Sequence, residues 1–162
     1  DTPLSVSGNF IVSVPHAPRG VSVTVRFRSA GIYAGYKYGR VSRQTVDFFQ
    51  INPYVEQSPS PKILGRQASA SIYDFGICYE PLENVICYAG FGRSYSWKYI
   101  QYSDTNHRYS EEDYYFRLEK DKKINFSSGI IFISESGLSV QLGMDFPTFG
   151  AVYGIGYNFR FK

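Results

Sequence analysis

The chain is poor in several residue types and patterns. It has one methionine, one tryptophan, two cysteines and two histidines, and no long uninterrupted apolar run. A membrane-crossing helix needs roughly 18 consecutive apolar residues, so helical membrane proteins are excluded. Barrels are not, because their spanning strands alternate and barely register on a hydropathy scale. The formal charge is only +3 and the basic residues are scattered, which leaves no nucleic-acid footprint. The two cysteines lack CxxC-type metal spacing. No cysteine stands at position 1, so no N-terminal lipid anchor is indicated.

The abundant residues are 15 Tyr, 13 Phe and 15 Gly in a chain of 162. Strong helix formers would dominate a helical domain; tyrosine, phenylalanine, valine and isoleucine suit a pleated sheet. The length fits one domain over 1–162. Alternation with a period of two runs through most of it, the mark of strands with two unlike faces. In "AVYGIGYNFRFK" (151–162), Ala151, Tyr153, Ile155, Tyr157, Phe159 and Phe161 oppose Val152, Gly154, Gly156, Asn158 and Arg160. In "LSVQLGMDF", Leu138, Val140, Leu142, Met144 and Phe146 oppose Ser139, Gln141, Gly143 and Asp145. Similar faces recur in "INFSSGIIFI", with an even phase reaching back to Tyr114, and in "VICYAGFGRSYSWKY", "IYDFGICY", "GIYAGYKYG", "VSVTVRFR" and "LSVSGNFIVSV". That makes eight strands.

Short turns rich in Gly, Pro, Ser and Asn are expected near Ser29, at "EPLEN" (80–84) and at "SESG" (134–137). Longer links fall at 40–66 and 101–112, and the last link, Pro147-Thr148-Phe149, is short. Alternating short and long links suit an outer-membrane barrel with short periplasmic turns and longer outer loops. A soluble sandwich would carry Lys, Glu and Thr on its polar face. Here that face is Gly, Ser, Asn and Gln with isolated charges, which fits the tight interior of an eight-stranded barrel, while the aromatic face fits lipid. The expected fold is therefore all-β: an eight-stranded antiparallel up-and-down transmembrane β-barrel. The alternative is a soluble lipocalin-like barrel whose apolar face lines a ligand cavity. On the first reading Val140 and Tyr157 face lipid and reject arginine, whereas inward Gly156 accepts serine more readily unless it crowds the plug. The opening Asp1-Thr2-Pro3, without an initiator methionine, suits a chain whose signal peptide has been cleaved, or one trimmed in another way.

The segments "YAGFGRSYSWKY", "GLSVQLGMDF" and "YGIGYNFRF" resemble the small outer-membrane β-barrel proteins of Bacteroidota, over roughly residues 70–162. The resemblance implies that fold and the bacterial outer membrane as location, with outer-membrane lipid as surroundings. It also implies a terminal aromatic that serves outer-membrane assembly, here Phe161 followed by Lys162. It names no activity.

Inward-facing Arg26, Arg28, Lys37, Lys98 and Arg160 are expected to meet Asp74 and Asp145, because a charge in a narrow interior must be paired. Such a network reads as a packed polar plug, or alternatively as an ion path. Cys78 and Cys87 flank the EPLEN turn. A five-residue turn points the thiols to opposite faces, a four-residue turn brings them together, and unpaired thiols are the expectation. His16 and His107 fall in outer loops. His107, with Asp104, Ser110 and Asp113 nearby, has the residue types of a rim-located lipid-modifying enzyme, but the loop matches no catalytic motif. Asp104, Glu111, Glu112 and Asp113 lack the EF-hand order, so a solvated acidic loop is expected instead of a metal site. Phe48, Phe49, Ile51 and Tyr54 give the 40–66 loop an apolar character that either covers the barrel mouth or meets a partner. The expectation is a non-enzymatic structural or interaction protein without a cofactor, serving as an accessory subunit of a larger outer-membrane complex.

Overall fold

The computed structural model describes residues 4–14, 18–39, 45–46, 62–103, 114–146 and 150–161. Its strands are β1 (Leu4–Val14), β2 (Arg19–Phe27), β3 (Ala30–Tyr38), β4 (Thr45–Val46), β5 (Lys62–Leu82), β6 (Val85–Ser103), β7 (Tyr114–Ile133), β8 (Leu138–Phe146) and β9 (Gly150–Phe161). Neighbours follow the order β7-β6-β5-β3-β2-β1-β9-β8, and β8 pairs again with β7. The sheet thus closes into an eight-stranded antiparallel barrel. The extra strand, β4, runs parallel to β7, with Thr45 opposite Tyr115.

The chain divides into two compact units, 1–39 with 70–95 and 122–162, and 40–69 with 96–121. The barrel described below is built from the first. β1, β2, β3, β8 and β9 are 9 to 12 residues long, close to the ~9–11 residues of a tilted membrane-crossing strand. β5, β6 and β7 have 21, 19 and 20 residues, and their far ends belong to the second unit. In that unit Lys120 Nζ lies 5.8 Å from the centre of the Trp97 ring.

The three turns differ in chemistry. Each holds a residue with a left-handed backbone: Arg28 (φ 56°), Asn84 (φ 67°) and Gly137 (φ 89°). Glycine and asparagine take that conformation readily and arginine does not. The second turn is tighter than the motif EPLEN suggests, because β5 continues through Glu80 and Pro81 to Leu82 and only Glu83 and Asn84 make the bend.

Strand alternation sorts the side chains into two environments. Buried inward positions include Ser7, Asn9, Ser22, Thr24, Asn125 and Gln141, whereas Phe10, Val21, Phe75, Ile77, Phe126 and Ile155 are exposed. Water would oppose such a wall, since large contiguous apolar patches are rare on soluble monomers. Hydrocarbon does not, so this is a lipid-facing surface. The interior also holds more apolar bulk than the Gly, Ser, Asn and Gln with isolated charges that dominate its reading from the sequence. Tyr33, Cys78, Ile86, Tyr88, Ile131 and Ile133 form a buried apolar cluster inside the barrel.

Candidate functional site

The barrel interior is organised in layers along its axis. Near the short turns, Arg26 pairs with Glu80 and donates to Ser5 Oγ at 2.9 Å. Ser5 and Ser7 donate to Asn158 Oδ1 at 2.7 and 2.6 Å. At the other end Lys37 pairs with Asp145, which also accepts from Ser13 Oγ at 3.3 Å. Between them the Tyr33 and Tyr88 rings stack with centroids 4.3 Å apart, and the Tyr33 hydroxyl donates to Asp74 at 3.4 Å. Ser22 donates to Gln141 at 2.5 Å, and Ser139 to Asn9 at 2.6 Å, tying together strands that are not neighbours in sequence.

These contacts lie at three levels of the interior. Arg26 and Lys37 are fully buried, each against a carboxylate, and the stacked tyrosines lie between the two pairs. Eight strands enclose just enough room for side chains to fill. Charges desolvated this way are tolerated only because they are paired and hydrogen-bonded, and the pairs tie strands that are distant in sequence into register. At the turn-side end a recess of about 370 Å³ remains, lined by Ser5, Arg26, Arg28, Glu80, Leu82 and Arg160.

The structure places Arg26, Asp74 and Asp145 inside the barrel and Arg160 at its turn-side mouth. There Arg160 donates to Asn84 Oδ1 at 2.6 Å and lies 3.9 Å from Glu80. Two expected members of the interior network are not there. Arg28 is exposed because β2 ends at Phe27 and the left-handed bend turns it out of the inward phase. Lys98 is exposed because its part of β6 belongs to the second unit, not to the barrel. Asp74 meets a tyrosine instead of a cation. Sequence reading missed Glu80, which it assigned to a turn. The signal was the even phase of Asp74 and Cys78, which carries on to 80 if Pro81 is allowed within the strand.

Cys78 is buried and Cys87 exposed; both thiols are free, and they lie on opposite faces. Among the described residues no group of three His, Cys, Asp or Glu could hold a metal ion. The loop residues Phe48, Phe49, Ile51, Tyr54, His16 and His107, and the acidic run 111–113 with Asp104, lie outside the described residues.

A closed antiparallel sheet with a packed polar lumen and an apolar, aromatic wall defines a transmembrane β-barrel of the outer-membrane kind. No family model matches the chain, and no curated protein matches its sequence. Among solved structures, Ail, the attachment invasion locus protein of Yersinia pestis, aligns with a TM-score of 0.52 at 11% identity, over 98% of this chain and 97% of that one. Ail in complex with the heparin analogue sucrose octasulfate gives the same values. A major outer membrane protein from Thermus thermophilus aligns with a TM-score of 0.48 at 13% identity over 99% of both chains. The likeness to Ail shows the fold, and the lipid-facing wall of this chain puts that fold in the bacterial outer membrane.

Proposed function

We propose that the protein is a non-enzymatic outer-membrane barrel with a structural or interaction role, an accessory subunit held in the membrane by its filled barrel. The observation that carries this reading is the packing of paired charges and stacked rings across the barrel interior. With Arg26–Glu80 at one end, Lys37–Asp145 at the other and stacked Tyr33 and Tyr88 between, the barrel works through its outer surfaces and not through a passage. Strands β5, β6 and β7, about twice the length a bilayer needs, extend past the membrane toward a partner, and the apolar residues Phe48, Phe49, Ile51 and Tyr54 in the sequence between β4 and β5 go with that reading. The resemblance of the C-terminal half to small Bacteroidota barrels goes with this assignment.

Two measurements test it. Reconstituted into planar bilayers, the protein gives no steady conductance; a stable single-channel current would overturn the plug. Extracted from native membranes in mild detergent, it migrates with one protein partner in fixed stoichiometry. Migration as a lone chain would overturn the accessory role.

A further inference from the structure

The outward face of the barrel is not uniformly apolar. On β6, Phe91 is 65% exposed and Arg93, two positions on, is exposed on the same face. On β7, Ile124 and Phe126 are exposed, and Lys122 continues their phase. Lys122 Nζ lies 5.9 Å from the centre of the Tyr95 ring, and Tyr95 packs against Tyr73 with centroids 6.1 Å apart. Arg93 stands two positions before Tyr95, in the same outward phase of β6. Among the described residues neither cation has a carboxylate partner.

Their height on the wall matters. A tilted strand climbs roughly 2.5 Å per residue, and the apolar band of such barrels is about 25 Å tall. Counted from the Asn84 turn, Arg93 reaches the top of that band, and Lys122, counted from the Ser134 turn, stands just above it. Arg19, opposite Tyr38, is exposed at the same rim. The turn-side rim is different. Its outward strand positions carry Phe27, Tyr79, Leu138, Tyr157 and Phe159, without lysine or arginine among the described residues. The outward strand positions of one rim thus combine aromatic and cationic groups, whereas those of the other carry aromatic and aliphatic groups, with Arg28 in the turn beyond them.

We propose that Arg93 and Lys122, framed by Tyr73 and Tyr95, form a binding site on the barrel wall for the phosphate of a phosphorylated outer-leaflet glycolipid. A soluble phosphate would gain nothing from the apolar strip of Phe91, Ile124 and Phe126 directly below the cations. An amphiphile lays its acyl chains there while its headgroup meets the guanidinium and ammonium. Arginine supplies a planar fork for phosphate oxygens and lysine a flexible point charge that reaches up from the hydrocarbon edge.

The site is tested by thermal unfolding of the purified protein in a neutral detergent, titrated separately with lipid A, with phosphatidylglycerol and with inorganic phosphate. Lipid A raises the Tm of the wild type and the other two ligands do not. In Arg93→Gln/Lys122→Gln the apparent affinity for lipid A falls about 30-fold, since each cation near an anionic surface contributes roughly fivefold. Arg93→Lys/Lys122→Arg keeps most of the affinity, and Arg28→Gln, at the opposite rim, keeps all of it. Folding of each variant is checked by its heat-dependent mobility on a gel. Unchanged lipid A binding in the double glutamine variant would overturn the site. An equal shift with phosphatidylglycerol or inorganic phosphate would overturn the assignment to a glycolipid.

Discussion

Gly156 and Gly8 face each other's strands across the β1–β9 pair, where Asn9 lies opposite Gly156 and Gly8 opposite Tyr157. They meet very different surroundings. A methyl group on Gly156 would come within 1.9 Å of the Gly8 carbonyl oxygen and 2.6 Å of Asn9 Cα, whereas one on Gly8 meets nothing within 4 Å. Gly156 points into a narrow barrel, at a place where the neighbouring backbone curls over the inward face. The sequence suggested that serine at this inward glycine is tolerated unless it crowds the interior; the structure shows that crowding, and the obstacle is backbone and not a movable side chain. For Gly156→Ala, β1 must withdraw by more than an ångström. That weakens about two ladder hydrogen bonds and pulls Asn9 from Ser139, 2.6 Å away. At roughly 1 kcal/mol for each bond the loss is about 2–4 kcal/mol. Gly8→Ala, on the open outward face, is neutral or stabilises by up to about 1 kcal/mol through the unfolded chain. Urea titrations in lipid vesicles, followed by the gel mobility of folded and unfolded forms, measure both. Equal stability of Gly156→Ala and the wild type would refute the close-approach argument.

The buried pair gives a second expectation: Lys37→Met leaves Asp145 charged without its cation and costs about 3–5 kcal/mol. Adding Asp145→Leu recovers most of that loss in the same titration, and a further drop in the double variant would contradict the pairing. On the lipid face, Ile155→Arg, midway along β9, costs about 2–4 kcal/mol, while Phe159→Arg near the rim costs no more than about 1 kcal/mol. A flat response with depth would remove the membrane from the explanation. A lipid-soluble maleimide labels Cys87 in the folded protein and spares Cys78 until denaturation; equal labelling of the two would contradict their opposite faces.

Much of the barrel was legible because a two-residue period is a robust signal. Once one face is apolar on eight segments, a slip of one residue would put every side chain on the wrong side. The phases of β2, β3, β8 and β9 follow directly from alternation, and Lys37, Asp74 and Asp145 share the buried phase. Strand ends were less legible. Arg28 sits one bend past the last inward position, and periodicity says nothing about where a strand stops. Glu80 was hidden by Pro81, whose usual place is a turn or a strand edge. The pairing of Arg26 with Glu80 in place of Asp74 depends on how high each strand stands relative to its neighbours. That stagger is a property of closure around the whole ring and leaves no mark in any one segment. Stacked Tyr33 and Tyr88 were equally out of reach, since they come from strands separated by β5.

The seam between β1 and β9 runs through eleven paired positions, from Leu4 with Phe161 to Val14 with Ala151. These partners stand at opposite extremes of the described chain, so the ring has an open edge until the last strand arrives. While it is open, rows of backbone donors and acceptors and a wall of aromatic side chains are bare together, the combination most prone to sticking to another chain. Pairing over such sequence distances is also slow, because the entropy of joining remote segments is lost before any contact rewards it. A ribosome emitting this protein therefore releases a polymer that cannot protect itself. Such a chain is safe from misassociation only while its two extremes are kept from other chains until the bilayer is at hand.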